Sequence, residues 1–193
     1  MKDLEKIERM AVVIDMIDGF VKYGAMHDKE IGKIIPAQIE LLEKMQDEKS
    51  IIAIVKDSHE KGCKEFNSYP EHCVKGSGEE NLVEELRMFE NEDSLVYEKN
   101  STSVVHVPKF FEDIKKMKNL KEIIFMGCCT DICVFDAVNP TNTYINEHNL
   151  NIQVTVPKDV VETYNSETHN REEYNEIAFK LMSQAGVNIV DKY

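Results

Sequence analysis

Six short apolar runs rich in β-branched residues punctuate the chain, at residues 11–14, 51–55, 95–97, 123–126, 152–156 and 187–190. Each is too short for a stable helix, and most are apolar at consecutive positions, the pattern of a strand buried on both faces. Between them lie segments with helical spacing: Ile35, Ile39, Leu42 and Met45, then Leu82, Leu86 and Phe89, and later Ile177, Ala178, Leu181 and Met182. Strands alternating with helices along the whole length predict an α/β fold. The expected form is a doubly wound domain with about six mostly parallel strands and helices on both faces. With 193 residues, no internal repeat and no Gly/Ser-rich linker, one domain over 1–193 is expected. Pro140 predicts that a helix beginning near Asp131 stops before Asn139 and restarts beyond it.

Charge narrows the partners. The chain has 23 Lys+Arg against 36 Asp+Glu, a formal net charge of −13, which is the wrong sign for a phosphate-neutralising surface. Nucleic acid and anionic membranes are therefore poor partners. No apolar run is long enough to cross a bilayer, and a cytoplasmic location is expected. The five cysteines are an odd number in a domain large enough not to need stapling, so metal binding, catalysis or burial must explain them rather than a disulfide framework.

In an open parallel sheet, ligands bind outside the carboxyl ends of the strands. The residues that follow the apolar runs there are Asp15, then Asp57 and His59, then Lys99, then residues 127–133. The last of these reads Gly-Cys-Cys-Thr-Asp-Ile-Cys and enters a predicted helix with Thr130 or Asp131 as N-cap, which puts Cys133 in the first turn. A thiol there is expected to have a lowered pKa, and the same free N–H groups can hold an oxyanion. Burial as small hydrophobes is the other reading of Cys128, Cys129 and Cys133. No histidine adjoins this strand, so Asp15 and Lys99 are the available acid–base groups. Asp57 and His59, two apart in an extended strand end, point to one face, and Glu65 and His72 follow in the next loop. Two imidazoles and two carboxylates suit zinc, iron or manganese better than calcium, although a polar loop with incidental histidines reads the same way. His27, His106, His148 and His169 are expected to be partly exposed polar residues.

Taken together these stretches resemble the isochorismatase-like cysteine hydrolases, and within them the nicotinamidases (pyrazinamidases). The likeness runs through Asp15-Met16-Ile17-Asp18-Gly19-Phe20, Asp57-Ser58-His59, Pro70-Glu71-His72-Cys73-Val74, Tyr97-Glu98-Lys99-Asn100 and Cys129-Thr130-Asp131-Ile132-Cys133-Val134, in family order from residue 11 to 190. The Asp18-Gly19 pair departs from the family's Gln-Asn-Asp centre. The resemblance implies a Rossmann-like strand order, Cys133 as nucleophile, Lys99 as its electrostatic partner and Asp15 as proton shuttle. It implies a cis peptide between Cys129 and Thr130, an oxyanion hole from the amides of Cys129 and Cys133, and Phe20 and Tyr69 flanking the substrate ring. It also implies one divalent metal held by Asp57, His59, Glu65 and His72, zinc first and iron or manganese as alternatives. The reaction implied is hydrolysis of nicotinamide, a small carboxamide, to nicotinate and ammonia in NAD salvage. A homo-oligomer is compatible with this. The competing expectations are a metal-independent relative acting on another amide or a vinyl ether, and a catalytically silent binding or redox-sensing protein.

Overall fold

The computed structural model describes residues 2–193. Its elements in chain order are β1 (Arg9–Ile14), α1 (Asp18–Val21), α2 (Ile35–Lys44), β2 (Ser50–Asp57), β3 (Leu95–Lys99), α3 (Pro108–Lys116), β4 (Glu122–Cys128), α4 (Phe135–Glu147), β5 (Gln153–Pro157), β6 (Val161–Glu162), α5 (Arg171–Gln184) and β7 (Asn188–Val190). Among the described residues all seven strands join one sheet in the order β3-β2-β1-β4-β5-β7, with β6 paired to the end of β4. Every pairing is parallel. The chain first builds outward from β1 through β2 to β3, then returns to lay β4 on the other side of β1. The strand order therefore reverses between β1 and β4, and connections leaving these two strands diverge to open a crevice at their carboxyl ends.

Alternate residues of β1 feed opposite cores, as the two-residue period of a strand dictates. Met10, Val12 and Ile14 pack with Phe110 of α3, Ala137 and Val138 of α4, and Ala178 and Met182 of α5. Ala11 and Val13 pack with Ile35 and Leu42 of α2 and with Phe89. The two-faced burial explains why these strands read as unbroken apolar runs.

Three local expectations are corrected. The stretch holding Leu86 and Phe89 forms a 3-10 segment over Glu84–Phe89, not an α-helix, though both side chains are buried. With only a few helix-spaced residues before the turn at Asn91, an α-helical nucleus gains too few hydrogen bonds to form. In α5 the buried face is Ala178, Phe179 and Met182, while Ile177 and Leu181 are exposed. Helix α4 runs through Pro140 without interruption. A proline there leaves the carbonyl four residues back without its donor, and the Ser103 hydroxyl donates to that Asp136 oxygen at 2.5 Å instead.

Gly127, on β4 beside Ile14, has φ +121°, and a Cβ there would lie 1.9 Å from the Ile14 carbonyl oxygen. Both the backbone conformation and the space demand glycine. Gly127→Ala should lower stability by more than about 3 kcal/mol, read by urea or thermal unfolding; a melting curve like that of the wild type would show that β1 and β4 can separate without cost.

Candidate active site

The sheet brings together at the carboxyl ends of β1, β2 and β3 three side chains that are far apart in sequence. Asp15 follows β1 in the left-handed conformation, φ +52°. Its N–H donates to the Val55 carbonyl at 3.0 Å, and its Oδ1 accepts from the Asp57 N–H at 2.9 Å. Asp57 and Lys99 end β2 and β3 as register partners, so their side chains leave the sheet side by side. All three are essentially buried. The Lys99 ammonium donates to Asp57 Oδ1, lies 2.8 Å from Asp15 Oδ2 in an ion pair, and approaches Cys133 Sγ at 3.8 Å.

Burial and mutual charge set the protonation states. Burial disfavours the Lys99 charge, yet Asp15 and Asp57 outweigh it and hold the ammonium well above the usual lysine range. Burial also works against ionising Asp57, but the charge of Lys99 wins, and its carboxyl sits well below the usual range. Burial pushes Asp15 up to about 7, reinforced by the charge of Asp57 and opposed by Lys99.

Cys133 lies in a single π-helical turn, Thr130–Val134, that runs into α4. The Ile132 and Val134 amides both donate to the Cys129 carbonyl, at 3.0 and 3.1 Å. The cis peptide bond falls between Cys128 and Cys129, one residue earlier than expected. Strand β4 extends through Cys128, so the chain reverses there and Cys129 already accepts the first bonds of the turn. The expected lowering of the Cys133 pKa is also corrected. Burial pushes the thiol well above its usual range, and the opposing pull of Lys99 does not overcome it. A thiol shielded from water gains less from a nearby helix end than it loses in hydration.

Beside this group, donor atoms of Asp57, His59, Glu65 and His72 all lie within 4.8 Å of one another. His59 Nε2 and His72 Nε2 stand 3.2 Å apart, with Asp57 Oδ2 3.6 and 3.8 Å from them and Glu65 Oε1 3.7 Å from His59. The other ring nitrogens face acceptors: His72 Nδ1 the Pro70 carbonyl at 2.7 Å, and His59 Nδ1 the Asn100 Oδ1 at 3.3 Å, an oxygen identified by the Glu60 N–H that donates to it. Each Nδ1 therefore carries the proton, and two Nε2 lone pairs converge on one point with two carboxylates. This donor set fits a divalent cation of the zinc, iron or manganese class. The grouping of Asp15, Asp57 and Cys133 does not, because the Lys99 ammonium already fills its centre.

One small cleft is lined by Asp57, Glu65 and His72 of the metal-type set and by Cys133. Phe20 and Tyr69 line it, together with Met26, Thr102, Cys129 and Ile132. The Phe20 and Tyr69 rings stand 5.6 and 6.3 Å from that of His72. A larger hollow between Lys115 and Tyr144 lies toward the amino ends of β4 and β5 and is lined by no cysteine, serine or threonine. Sequence reasoning missed Asn100, Met26, Thr102 and Ile132, none of which carries a residue type diagnostic of chemistry. Within the Asp18-Gly19 pair, a Cβ on Gly19 would stand 2.8 Å from Cys73 Sγ and 2.9 Å from Glu79 Cβ, so the packing there favours glycine. His27, His106 and His148 are exposed, whereas His169 is buried, contrary to expectation, because Asp131 binds it and Tyr164 and Tyr174 stack on it.

This fold and this cluster define a hydrolase of the isochorismatase-like class. A sequence profile of the isochorismatase domain matches residues 9–192, and the chain belongs to that family. Nicotinamidase 1 of Arabidopsis thaliana is 31% identical over 140 residues, 66% of this chain and 57% of that relative, so the match spans little more than half of the relative's length. Among solved structures, the pyrazinamidase of Pyrococcus horikoshii in complex with zinc superposes with a TM-score of 0.73 at 23% identity, covering 95% of this chain and 98% of that one. N-carbamoylsarcosine amidase from Thermoplasma acidophilum superposes with a TM-score of 0.73 at 18% identity, covering 97% and 99%.

Proposed function

We propose that this protein is a metal-containing cysteine amidohydrolase that converts nicotinamide to nicotinate and ammonia, a reaction of NAD salvage. The observation that carries the reading is the pairing of Cys133, Lys99 and Asp15 with a convergent His59, His72, Asp57 and Glu65 set across one small cavity. The likeness to Nicotinamidase 1 supports the substrate.

Cys133 Sγ attacks the carboxamide carbon while its proton passes to Asp15, whose raised pKa makes it a competent base near neutrality. The amides of Cys129 and Cys133 stabilise the oxyanion. Asp15 returns the proton to the departing nitrogen, the C–N bond breaks, and ammonia leaves a thioester on Cys133. Water then gives a proton to Asp15 and attacks the thioester; as the C–S bond breaks, Asp15 hands that proton to sulfur, and the acid product loses its remaining proton to solvent and leaves as nicotinate. Lys99 holds its charge throughout and offsets the negative charge gathering on sulfur. Phe20 and Tyr69 confine the ring. A divalent ion on Asp57, His59, Glu65 and His72 would supply a Lewis-acidic position for the ring nitrogen.

Ammonia release from nicotinamide tests this. Release should stop on removal of metal by a chelator and return with added zinc, iron or manganese; no release by metal-loaded protein would overturn the substrate assignment. Because Asp15 must be ionised to take the thiol proton, kcat/KM should rise with pH through about 7. A profile that is flat across neutrality would remove Asp15 as the base.

A further inference from the structure

The loop joining β6 to α5 carries a cluster that the proposed mechanism leaves unused. His169 is 6% exposed, with its ring between Tyr164, 3.9 Å away at 11°, and Tyr174 of α5, 3.7 Å away at 28°. Its Nδ1 stands 3.0 Å from the Tyr164 carbonyl oxygen and its Nε2 2.8 Å from Asp131 Oδ2. A carbonyl and a carboxylate only accept. The ring nitrogen that carries the proton toward Asp131 ties the two side chains together, and the two stacked tyrosine faces fix the plane of the ring.

Asp131 belongs to the turn that carries Cys133, lying between Cys129 and the nucleophile. Its other oxygen accepts from the Thr163 hydroxyl at 2.5 Å, so both oxygens are held from the β6–α5 loop. That loop is itself anchored. Arg171 Nε donates to the Thr163 carbonyl at 2.8 Å and its guanidinium pairs with Asp28, while the backbones of Ser166 and His169 bond each other at 3.0 and 3.3 Å. A doubly hydrogen-bonded clamp on a five-residue turn restricts the segment whose displacement would move Cys133 Sγ away from Lys99 and Asp15.

We propose that His169 and Asp131 are positioning residues that hold the Cys133 turn in register with Lys99 and Asp15. The proposal rests on the assignment of Cys133 as nucleophile, and not on the identity of the substrate. Misplacing a reacting group by about 1 Å can cost ~100-fold in rate, so a loosened turn should show in chemistry more than in binding.

Three measurements on the full-length, metal-loaded protein test it. Nitrogen–proton correlation spectra of the histidine rings should show the His169 Nε2 proton shifted downfield by its bond to Asp131; a His169 ring with no proton at Nε2 would overturn the proposal. In His169→Phe, which keeps the stack and loses both hydrogen bonds, kcat on nicotinamide should fall ~10-fold or more with KM within about twofold, and His169→Gln, still able to donate to Asp131, should recover part of the loss. A KM effect with unchanged kcat would count against positioning. Alkylation of Cys133 by iodoacetamide, followed by peptide mass spectrometry, needs no substrate and should slow several-fold in His169→Phe, because sulfur spends less time beside Lys99. Alkylation at the wild-type rate would overturn the proposal even if nicotinamide proves not to be the substrate. If His169→Phe fails to fold, His169→Gln and the ring spectrum decide.

Discussion

Replacing Cys133 with alanine should abolish ammonia release from nicotinamide, by at least ~10⁴-fold in kcat, while changing the melting temperature by only a few degrees. The size of the expected loss follows from the absence of a substitute within the pocket. Cys128 is buried with its thiol turned to the Asp15 carbonyl at 3.2 Å, and Cys129 lines the cavity but has no contact to Lys99 among the described residues. Lys99 and Asp15 would remain, but a base and a cation without a nucleophile leave only direct attack by water on the unactivated carboxamide, with no thioester to hydrolyse. The small stability effect follows from the pairing of Lys99. Its ammonium keeps both Asp57 and Asp15 after the sulfur is gone, so no buried charge is left without a partner. Retention of more than about a hundredth of the wild-type rate would take Cys133 out of the mechanism. A collapse of the melting temperature would instead assign the thiol a packing role in the core it shares with Val134 and Ala137.

The parts of this architecture that were legible in the sequence are those whose physics is local. Strands buried on both faces must be apolar without alternation, so β1, β2 and β4 announced themselves, and with them the sheet edge where Asp15, Asp57 and Cys133 emerge. The metal-type set was legible because Asp57 and His59 sit two apart on a strand end, a spacing that fixes a common direction. What escaped depends on contacts between distant segments. Two-residue β6 has no pattern of its own and exists by pairing with Gly127 and Cys128. Helix α4 survives Pro140 because Ser103, 37 positions earlier in the sequence, replaces the missing donor. The Cys133 pKa was misjudged because the position of a thiol at a helix start is visible in sequence and its burial is not. His169 looked ordinary for the same reason: its partner Asp131 lies 38 residues away.

Asp57 is where the two halves of the site meet, and Asp57→Asn should therefore cost more than the loss of any other member of the metal-type set. One oxygen of Asp57 accepts from the Lys99 ammonium and the other faces the point where His59 and His72 Nε2 converge. Asparagine has nearly the same shape but a single acceptor oxygen. Turned toward Lys99, its amide presents N–H groups to the metal position; turned toward the metal, it presents them to the ammonium. Either way a donor faces a cation, and the charge of two carboxylates that balances Lys99 is halved. The expected result is loss of bound metal by more than ~100-fold in affinity, beyond the effect typical of a group outside the coordination shell. The melting temperature should also fall, because Lys99 then shares its burial with Asp15 alone. His72→Ala separates the two effects. It removes a metal donor and touches neither Lys99 nor Asp15, so it should lose metal while keeping far more of the metal-free protein's stability. Elemental analysis and melting curves recorded with and without chelator on both variants give the comparison. If Asp57→Asn binds metal as the wild type does, Asp57 serves Lys99 alone; if the two variants melt together in chelator, Asp57 contributes nothing to holding the buried lysine.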